Sequence, residues 1–99
     1  MSNPSSQYHN ILFQINPGLV AAELDGDLVM MDAESGQYYG ISGIGPRAFE
    51  LLTSPISVDG LVKTITSEYE IDEKTCRQDV LKFLDLLTEN NLAQRTKQR

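Results

Sequence analysis

The chain has little of what most enzymes use for catalysis. Its 99 residues contain one cysteine, one histidine and no tryptophan. Because Cys76 has no second cysteine, an internal disulfide and a multi-cysteine metal site are excluded, and a reducing compartment is expected. His9 lies far from Cys76 in the sequence, so a cysteine–histidine catalytic pair is not expected. We therefore predict a protein without catalytic activity, cofactor or metal site.

Basic residues are also scarce. The chain carries 14 Asp and Glu against 8 Lys and Arg, and Arg95, Lys97 and Arg99 fall in the last five residues. A surface that binds a nucleic-acid backbone or an anionic membrane needs clustered cations, so neither partner is expected. The sequence has no apolar run of membrane-spanning length and no basic segment followed by an apolar one at the N-terminus. These absences predict a cytoplasmic protein.

What the sequence does contain is a change of hydrophobic period after residue 41. Before it, the short apolar segments 19–24, 28–31 and 37–41 are separated by turn residues, which predicts a three-stranded antiparallel meander with the last strand at an edge. After it, a period of about 3.6 predicts three helices, with Ser57 and Asp72 as N-caps of the second and third. The predicted fold is α+β, a three-stranded antiparallel sheet followed by three helices.

Composition at the two ends sets the predicted domain boundaries. Residues 1–9 are mostly Ser, Asn, Gln and Pro, which predicts a disordered N-terminal arm. Residues 11–15 alternate in a strand-like pattern and begin the domain proper. The concentration of cations at the other end predicts a basic C-terminal tail over residues 95–99. We therefore predict one domain over residues 10–94.

The predicted edge strand and one side of the third predicted helix together indicate a binding groove. The predicted edge strand over residues 37–41 has no Pro, Lys or Glu to block pairing, and Gly40 removes a side chain where another backbone could approach. The third helix has an apolar stripe wider than a core-facing seam needs. This width has two interpretations: Leu81 and Leu84 either form one wall of a groove or only cover the edge of the sheet. The flank that we predict beside the groove consists of Arg77, Leu81, Leu84 and Thr88.

Two strings of residues carry a resemblance to a known family. GQYYGISGIGPRAFELL (residues 36–52), followed by a helix pair that ends in VLKFLDLLTENNLA (residues 80–93), resembles the PqqD-like family of peptide-modification chaperones. These are also called recognition elements of ribosomally synthesised and post-translationally modified peptides (RiPPs). The likeness is to the discrete members that serve lasso-peptide enzymes, and it runs from about residue 17 to residue 93. This sequence has Ile41-Ser42 for the usual Leu-Asn and Phe49 for the usual Trp.

The resemblance implies a winged helix-turn-helix that binds the leader segment of a precursor peptide without catalysis. The leader would add a strand to the third strand and rest against the third helix, where Arg77 or Lys74 would pair with an acidic leader residue. The implied partners are a leader peptidase of the transglutaminase-like cysteine protease type and an ATP-dependent macrocyclase. Carried over by position, the implied leader-binding residues are Gln37, Tyr38, Tyr39, Gly40, Ile41, Lys74, Arg77, Leu81, Leu84 and Thr88.

Two other functions stay open at this point. The second and third predicted helices are joined by a short link, as in a helix-turn-helix, so a winged-helix DNA-binding transcriptional regulator is the main alternative. Acidic residues among the cations of the third helix argue against it. A structural subunit with no peptide ligand is the third possibility.

Overall fold

The computed structural model describes residues 11–25 and 27–97. The predicted N-terminal arm, residues 1–9, lies outside the described residues. The α+β class with three helices is confirmed within the described ranges. The elements there are β1 (Ile11–Ile15), β2 (Leu19–Leu24), β3 (Asp27–Asp32), β4 (Tyr38–Ile41), α1 (Gly45–Leu51), α2 (Val58–Glu68), α3 (Glu73–Glu89) and β5 (Ala93–Lys97).

The central sheet has the strand order β2-β3-β4, and both pairings are antiparallel. The turn from β3 to β4 is built around Asp32, whose carboxylate accepts hydrogen bonds from the Glu34 N–H at 3.2 Å and the Ser35 hydroxyl at 2.9 Å. Gly36 has a φ of 75°, a conformation that glycine adopts without a steric penalty. This tight turn delivers β4 to the margin of the sheet.

A second, two-stranded sheet of β1 and β5 corrects the prediction for the C-terminus. The sequence predicted residues 95–99 as a tail outside the domain, but residues 95–97 belong to β5 and pair antiparallel with β1. Asn91, at a φ of 58°, reverses the chain after α3, and the Asn16 side-chain amide donates a 2.6 Å hydrogen bond to its carbonyl. The structure therefore contains a second, two-stranded sheet in addition to the three-stranded sheet that we predicted.

Local capping residues set the start of each helix. The Ser57 hydroxyl accepts a 3.0 Å hydrogen bond from the Gly60 N–H, and the Asp72 carboxylate accepts one of 3.0 Å from the Thr75 N–H. That backbone hydrogen bond, with a second one from the Thr75 hydroxyl, lowers the pKa of Asp72. Pro46 lies in the first turn of α1, where its missing N–H leaves no hydrogen bond unmade.

An ion pair fixes α1 against α2. The Arg47 guanidinium donates two hydrogen bonds of 2.8 Å to the two carboxylate oxygens of Glu68, a bidentate geometry that holds both side chains. The hydrogen bonds from Arg47 lower the pKa of Glu68. Because α1 directly follows β4, this ion pair also helps to hold residues 42–44, which connect β4 to α1.

The core lies between the helices and the inner faces of both sheets. Burying a large apolar side chain stabilises a fold by about 1.5–3 kcal/mol, so these contacts dominate its stability. No helix in residues 11–25 and 27–97 is long and apolar enough to cross a bilayer. Side chains at the centre of the core include Phe13, Met30, Leu52, Leu61, Ile65, Val80, Leu87 and Leu92.

Candidate functional site

Among the described residues β4 is an edge strand, since it pairs with β3 alone. The Asp32 N–H donates a 2.9 Å hydrogen bond to the Gln37 carbonyl, just before β4 begins. Antiparallel ladders alternate hydrogen-bonded and non-hydrogen-bonded pairs, so the backbone groups of Tyr39 and Ile41 point toward β3. The backbone N–H and C=O groups that face the open margin are those of Tyr38 and Gly40.

Side chains of β4 alternate between the two faces of the sheet. Tyr39 and Ile41 are half-buried against the core, whereas Tyr38 is 60% exposed. The Tyr39 hydroxyl donates a 2.9 Å hydrogen bond to the side-chain carbonyl of Gln37. The inner face of β4 therefore packs on the apolar core, and the outer face is open to solvent.

A groove of about 360 Å³ lies beside the inner face of β4, and we call it the β4 groove. Gly45 permits the close approach of its walls, because a Cβ there would lie 3.3 Å from the Ile41 Cβ and 3.7 Å from the Phe83 Cε1. Gly43, with a φ of 59°, makes the turn that forms one end. The sheet side of the groove is lined by residues 40–45 and the helix side by Asp79, Lys82, Phe83 and Leu86.

The structure does not bring the predicted helix residues to this groove. Leu84 is 2% exposed and belongs to the core. Arg77 faces α2, where its guanidinium donates a 2.8 Å hydrogen bond to Asp59 and also pairs with Glu73 at 3.2 Å. The hydrogen bond to Asp59 is the largest cause of the raised pKa of Arg77. Arg77, Leu81, Leu84 and Thr88 therefore do not line the β4 groove.

Two flanks border the buried stripe of α3. At about 100° per residue, Asp79, Lys82 and Leu86 fall on one side of the stripe, which we call the near flank because it lines the β4 groove. Arg77, Leu81 and Thr88 fall on the other side, the far flank. Leu81 is half-buried against the core, and the Thr88 hydroxyl donates a 3.0 Å hydrogen bond to the Leu84 carbonyl. Lys74 is exposed in the first turn of α3 and does not line the groove.

A family model described as coenzyme PQQ synthesis protein D (PqqD) matches residues 27–93, more than half of the chain. The chain belongs to the PqqD family. The matched segment of this PqqD-family protein contains β3, β4, the three helices and every residue of the β4 groove. The resemblance stated from the sequence is thereby confirmed.

Two solved structures are similar to the PqqD-family chain over most of its length. One is described as TbiB1 in complex with the TbiA(beta) leader peptide; it is 28% identical, has a TM-score of 0.68, and the match covers 82% of this chain and 94% of that one. The other is a lasso peptide synthetase B1 complexed with the leader peptide; it is 26% identical, has a TM-score of 0.68, and the match covers 83% and 96%. No curated protein matched the sequence.

Two opposite charges stand on the helix side of the groove in this PqqD-family protein. Asp79 and Lys82 both line it, together with the apolar side chains of Phe83 and Leu86. Lys82 forms no ion pair with a described residue, in contrast to Arg77 on the far flank, whose charge is taken up by Asp59 and Glu73. The groove therefore offers an apolar floor and an unpaired cation.

Cys76, the single cysteine of the chain, does not line this groove. Cys76 is fully buried in the core, and burial raises the pKa of its thiol, which opposes formation of the reactive thiolate. His9 lies outside the described residues. Across residues 11–25 and 27–97 no group of His, Cys, Asp and Glu side chains is arranged to hold a metal ion.

Proposed function

We propose that this protein binds the leader segment of a ribosomally made precursor peptide, of the lasso type, by adding the leader as a strand to β4. The observation that carries the proposal is that, within residues 11–25 and 27–97, β4 pairs on one side only and lies directly beside an apolar groove. It is supported by two similar structures that are each described as complexes with a leader peptide. In this role the protein holds its ligand and catalyses no reaction on it.

Backbone pairing supplies affinity without selectivity. The N–H and C=O groups of Tyr38 and Gly40 would bond to the leader main chain, and each such hydrogen bond contributes about 0.5–1.5 kcal/mol net. Every second leader side chain would point toward the β4 groove, opposite Tyr39 and Ile41. These leader positions form non-hydrogen-bonded pairs, in which side chains lie closest together. The residues of the strand side are Gln37, Tyr38, Tyr39, Gly40 and Ile41.

Groove side chains supply the selectivity. Phe83 and Leu86 present apolar surface to the leader, and burying a leucine-sized side chain on them would contribute about 1.5–3 kcal/mol before the cost of ordering the peptide. Lys82 would pair with an acidic leader residue, and such an exposed pair contributes about 1 kcal/mol or less. This replaces the pairing with Arg77 expected from the sequence, because Arg77 already has two acidic partners.

The role of such binding is delivery. A bound leader is held extended at the sheet margin, so the segment that follows it is presented at a defined place to other proteins. We propose that these are a leader peptidase of the transglutaminase-like cysteine protease type and an ATP-dependent macrocyclase, in the cytoplasm. No observation on the described residues favours the DNA-binding alternative, because Lys74 and Lys82 share the exposed surface of α3 with Glu73, Asp79 and Asp85.

A matched pair of leucines tests the site. Leu86 on the near flank and Leu81 on the far flank are both half-buried on α3, so Leu86→Ala and Leu81→Ala remove the same atoms from similar surroundings. The leader of the precursor peptide encoded beside this gene is titrated into each variant and followed by fluorescence anisotropy, with circular dichroism to confirm folding. Hot-spot truncations cost more than about 1 kcal/mol, so Leu86→Ala should weaken binding about five- to thirtyfold.

Leu81→Ala should change the affinity less than about twofold, since Leu81 does not line the groove. Equal losses in the two variants, or a larger loss for Leu81→Ala, would show that the leader does not occupy the β4 groove. Failure of the wild-type protein to bind the leader at all would refute the proposed function itself.

A further inference from the structure

The outer margin of β5 is an open sheet edge within the described part of the chain. β5 pairs with β1 alone, and β1 is bonded on its other side to residues 52 and 56, between α1 and α2. The Phe13 N–H donates a 2.8 Å hydrogen bond to the Ile56 carbonyl, and the Phe13 carbonyl accepts one of 3.0 Å from the Ile56 N–H. The backbone groups of Phe13 therefore point away from β5, which makes Phe13 and Arg95 a non-hydrogen-bonded pair.

This register decides which groups of β5 face outward. The residues of a non-hydrogen-bonded antiparallel pair direct their N–H and C=O groups away from each other. Arg95 and, two positions later, Lys97 therefore offer their backbone groups to the open margin. Their side chains are exposed on the same face of the strand, about 6.8 Å apart along it. An added strand would thus meet two backbone bonding positions and two cations in one register.

β5 is also the only positively charged element among those that the structure describes. It carries two cations and no acidic residue, whereas every helix and every other strand there is neutral or negative. Arg95 and Lys97 form no ion pair with a described residue, in contrast to Arg47 and Arg77. Two like charges this close repel each other, and carboxylates of a partner would relieve that repulsion.

The charge of this edge selects the kind of strand that it accepts. Cations at a sheet margin usually prevent two copies of a protein from pairing edge to edge, because the pairing would bring the cations of both copies together. A strand with carboxylates at alternate positions is attracted instead. Its acidic side chains would lie on the same face as Arg95 and Lys97 and directly beside them, since side chains of paired residues share a face. Two cations are few for a nucleic-acid backbone, which is bound by larger clusters.

We propose that the β5 margin docks an acidic, extended segment of a partner protein, in which Glu or Asp alternates with uncharged residues. Backbone hydrogen bonds to Arg95 and Lys97 hold the segment, and its carboxylates pair with the two cationic side chains. This docking goes beyond the proposed function and does not depend on it, because β5 and β4 belong to different sheets. The backbone groups that a leader would use on β4 therefore stay available while a partner occupies β5.

Peptide titrations followed by NMR test the docking. The nitrogen-labelled full chain is titrated with a synthetic peptide in which Glu alternates with Val, with a peptide of the same composition whose Glu residues are adjacent, and with a peptide in which Lys alternates with Val. The titrations are repeated on the double variant Arg95→Glu, Lys97→Glu. The matched control is Lys63→Glu, Lys74→Glu, which changes the net charge equally at exposed positions of α2 and α3. Thermal unfolding checks that each variant folds.

The alternating Glu peptide should shift the amide signals of residues 93–97 and leave those of β4 unchanged. Reversing the charges of β5 should weaken its binding about five- to thirtyfold, since each exposed ion pair contributes up to about fivefold and is replaced by a repulsion. The same variant should prefer the alternating Lys peptide, and the control variant should keep the preference of the wild type.

Three results would overturn the proposal, and the first two need only the wild-type protein. One is that the peptide with adjacent Glu residues binds as well as the alternating one, which would indicate a surface that attracts anions without strand pairing. Another is that the alternating Glu peptide shifts no signal of β5, or that these signals shift with protein concentration instead, as they would if a second copy of the chain occupied the margin. The third is an equal loss of affinity in the two double variants.

Discussion

Ending the chain at Gln94 should remove about 2 kcal/mol from the free energy of unfolding. The truncation deletes three of the residues that pair with β1, namely Arg95, Thr96 and Lys97. Each cross-strand pair contributes about 0.2–1 kcal/mol, and each backbone hydrogen bond between the strands about 0.5–1.5 kcal/mol, before the chain entropy that the free strand regains. The pairs that are lost include that of Arg95 with Phe13, whose side chain is 1% exposed in the folded protein.

The effect is large for a domain of this size. At about 0.05–0.15 kcal/mol per residue, the whole domain has a stability of about 5–15 kcal/mol, so the truncation removes a sizeable share of it. A change of 1 kcal/mol shifts the Tm of a small domain by about 4–8 °C, so the Tm should fall by about 8–16 °C. Urea denaturation and differential scanning calorimetry measure the two quantities independently.

A chain that ends at Lys97 is the matched control, because it keeps every described pair between β1 and β5. It should unfold at the same urea concentration as the full chain. A loss below about 0.5 kcal/mol for the chain ending at Gln94, with an unchanged slope in urea, would refute the reasoning. It would mean that β5 contributes no net stability and that residues 95–97 act as the tail expected from the sequence.

Two further predictions concern the helix starts. Gly60→Ala should destabilise the protein by about 1 kcal/mol or more despite the better helix propensity of alanine. The reason is that the new Cβ would lie 2.9 Å from the Ile56 Cγ1 and 3.3 Å from the Ser57 Oγ. A gain in stability on urea denaturation would contradict this prediction. Hydrogen bonds from Thr75 lower the pKa of Asp72 in the folded state, so its contribution is present above the unfolded pKa of about 3.8 and is lost as pH falls through the folded value. Asp72→Asn should therefore flatten the dependence of stability on pH below about 4; identical acid unfolding curves for variant and wild type would argue against that role.

Features that depend on local chemistry could be predicted from the sequence. The N-caps Ser57 and Asp72 make their expected hydrogen bonds, and β4 occupies a sheet margin with Tyr39 and Ile41 on its inner face. Each of these depends on residues a few positions apart, either through a turn that can be recognised or through the alternation of a strand. Local rules of this kind operate whatever the rest of the chain does.

β5 could not be predicted because its sequence lacks a strand pattern. Four of its five residues are exposed, and its composition, Ala-Gln-Arg-Thr-Lys, has neither alternation nor a run of β-branched residues. The strand exists because β1, more than 70 positions away, offers it a pairing partner once α3 has turned back at Asn91. Pairing over such a separation leaves no signal in the residues of one strand.

The sequence also could not predict which side of α3 faces β4. A helical projection identifies the buried stripe through Cys76, Val80 and Leu87, but it treats the two flanks alike. Which flank meets the sheet depends on how the chain crosses from β4 through α1 and α2. Leucines on both flanks, Leu81 and Leu86, left the pattern ambiguous, and of the two only Leu86, which was not predicted, lines the β4 groove.

The unblocked margin of β4 also bears on how the free protein avoids self-association. Edge strands usually carry Lys, Pro or a bulge that prevents two copies from joining edge to edge, and β4 has neither Lys nor Pro. The whole molecule has a net charge of −6, so two copies that approach each other repel at low ionic strength. Long-range repulsion between like molecules can thus take the place of a local block, and it leaves the strand accessible to a peptide of lower or opposite charge.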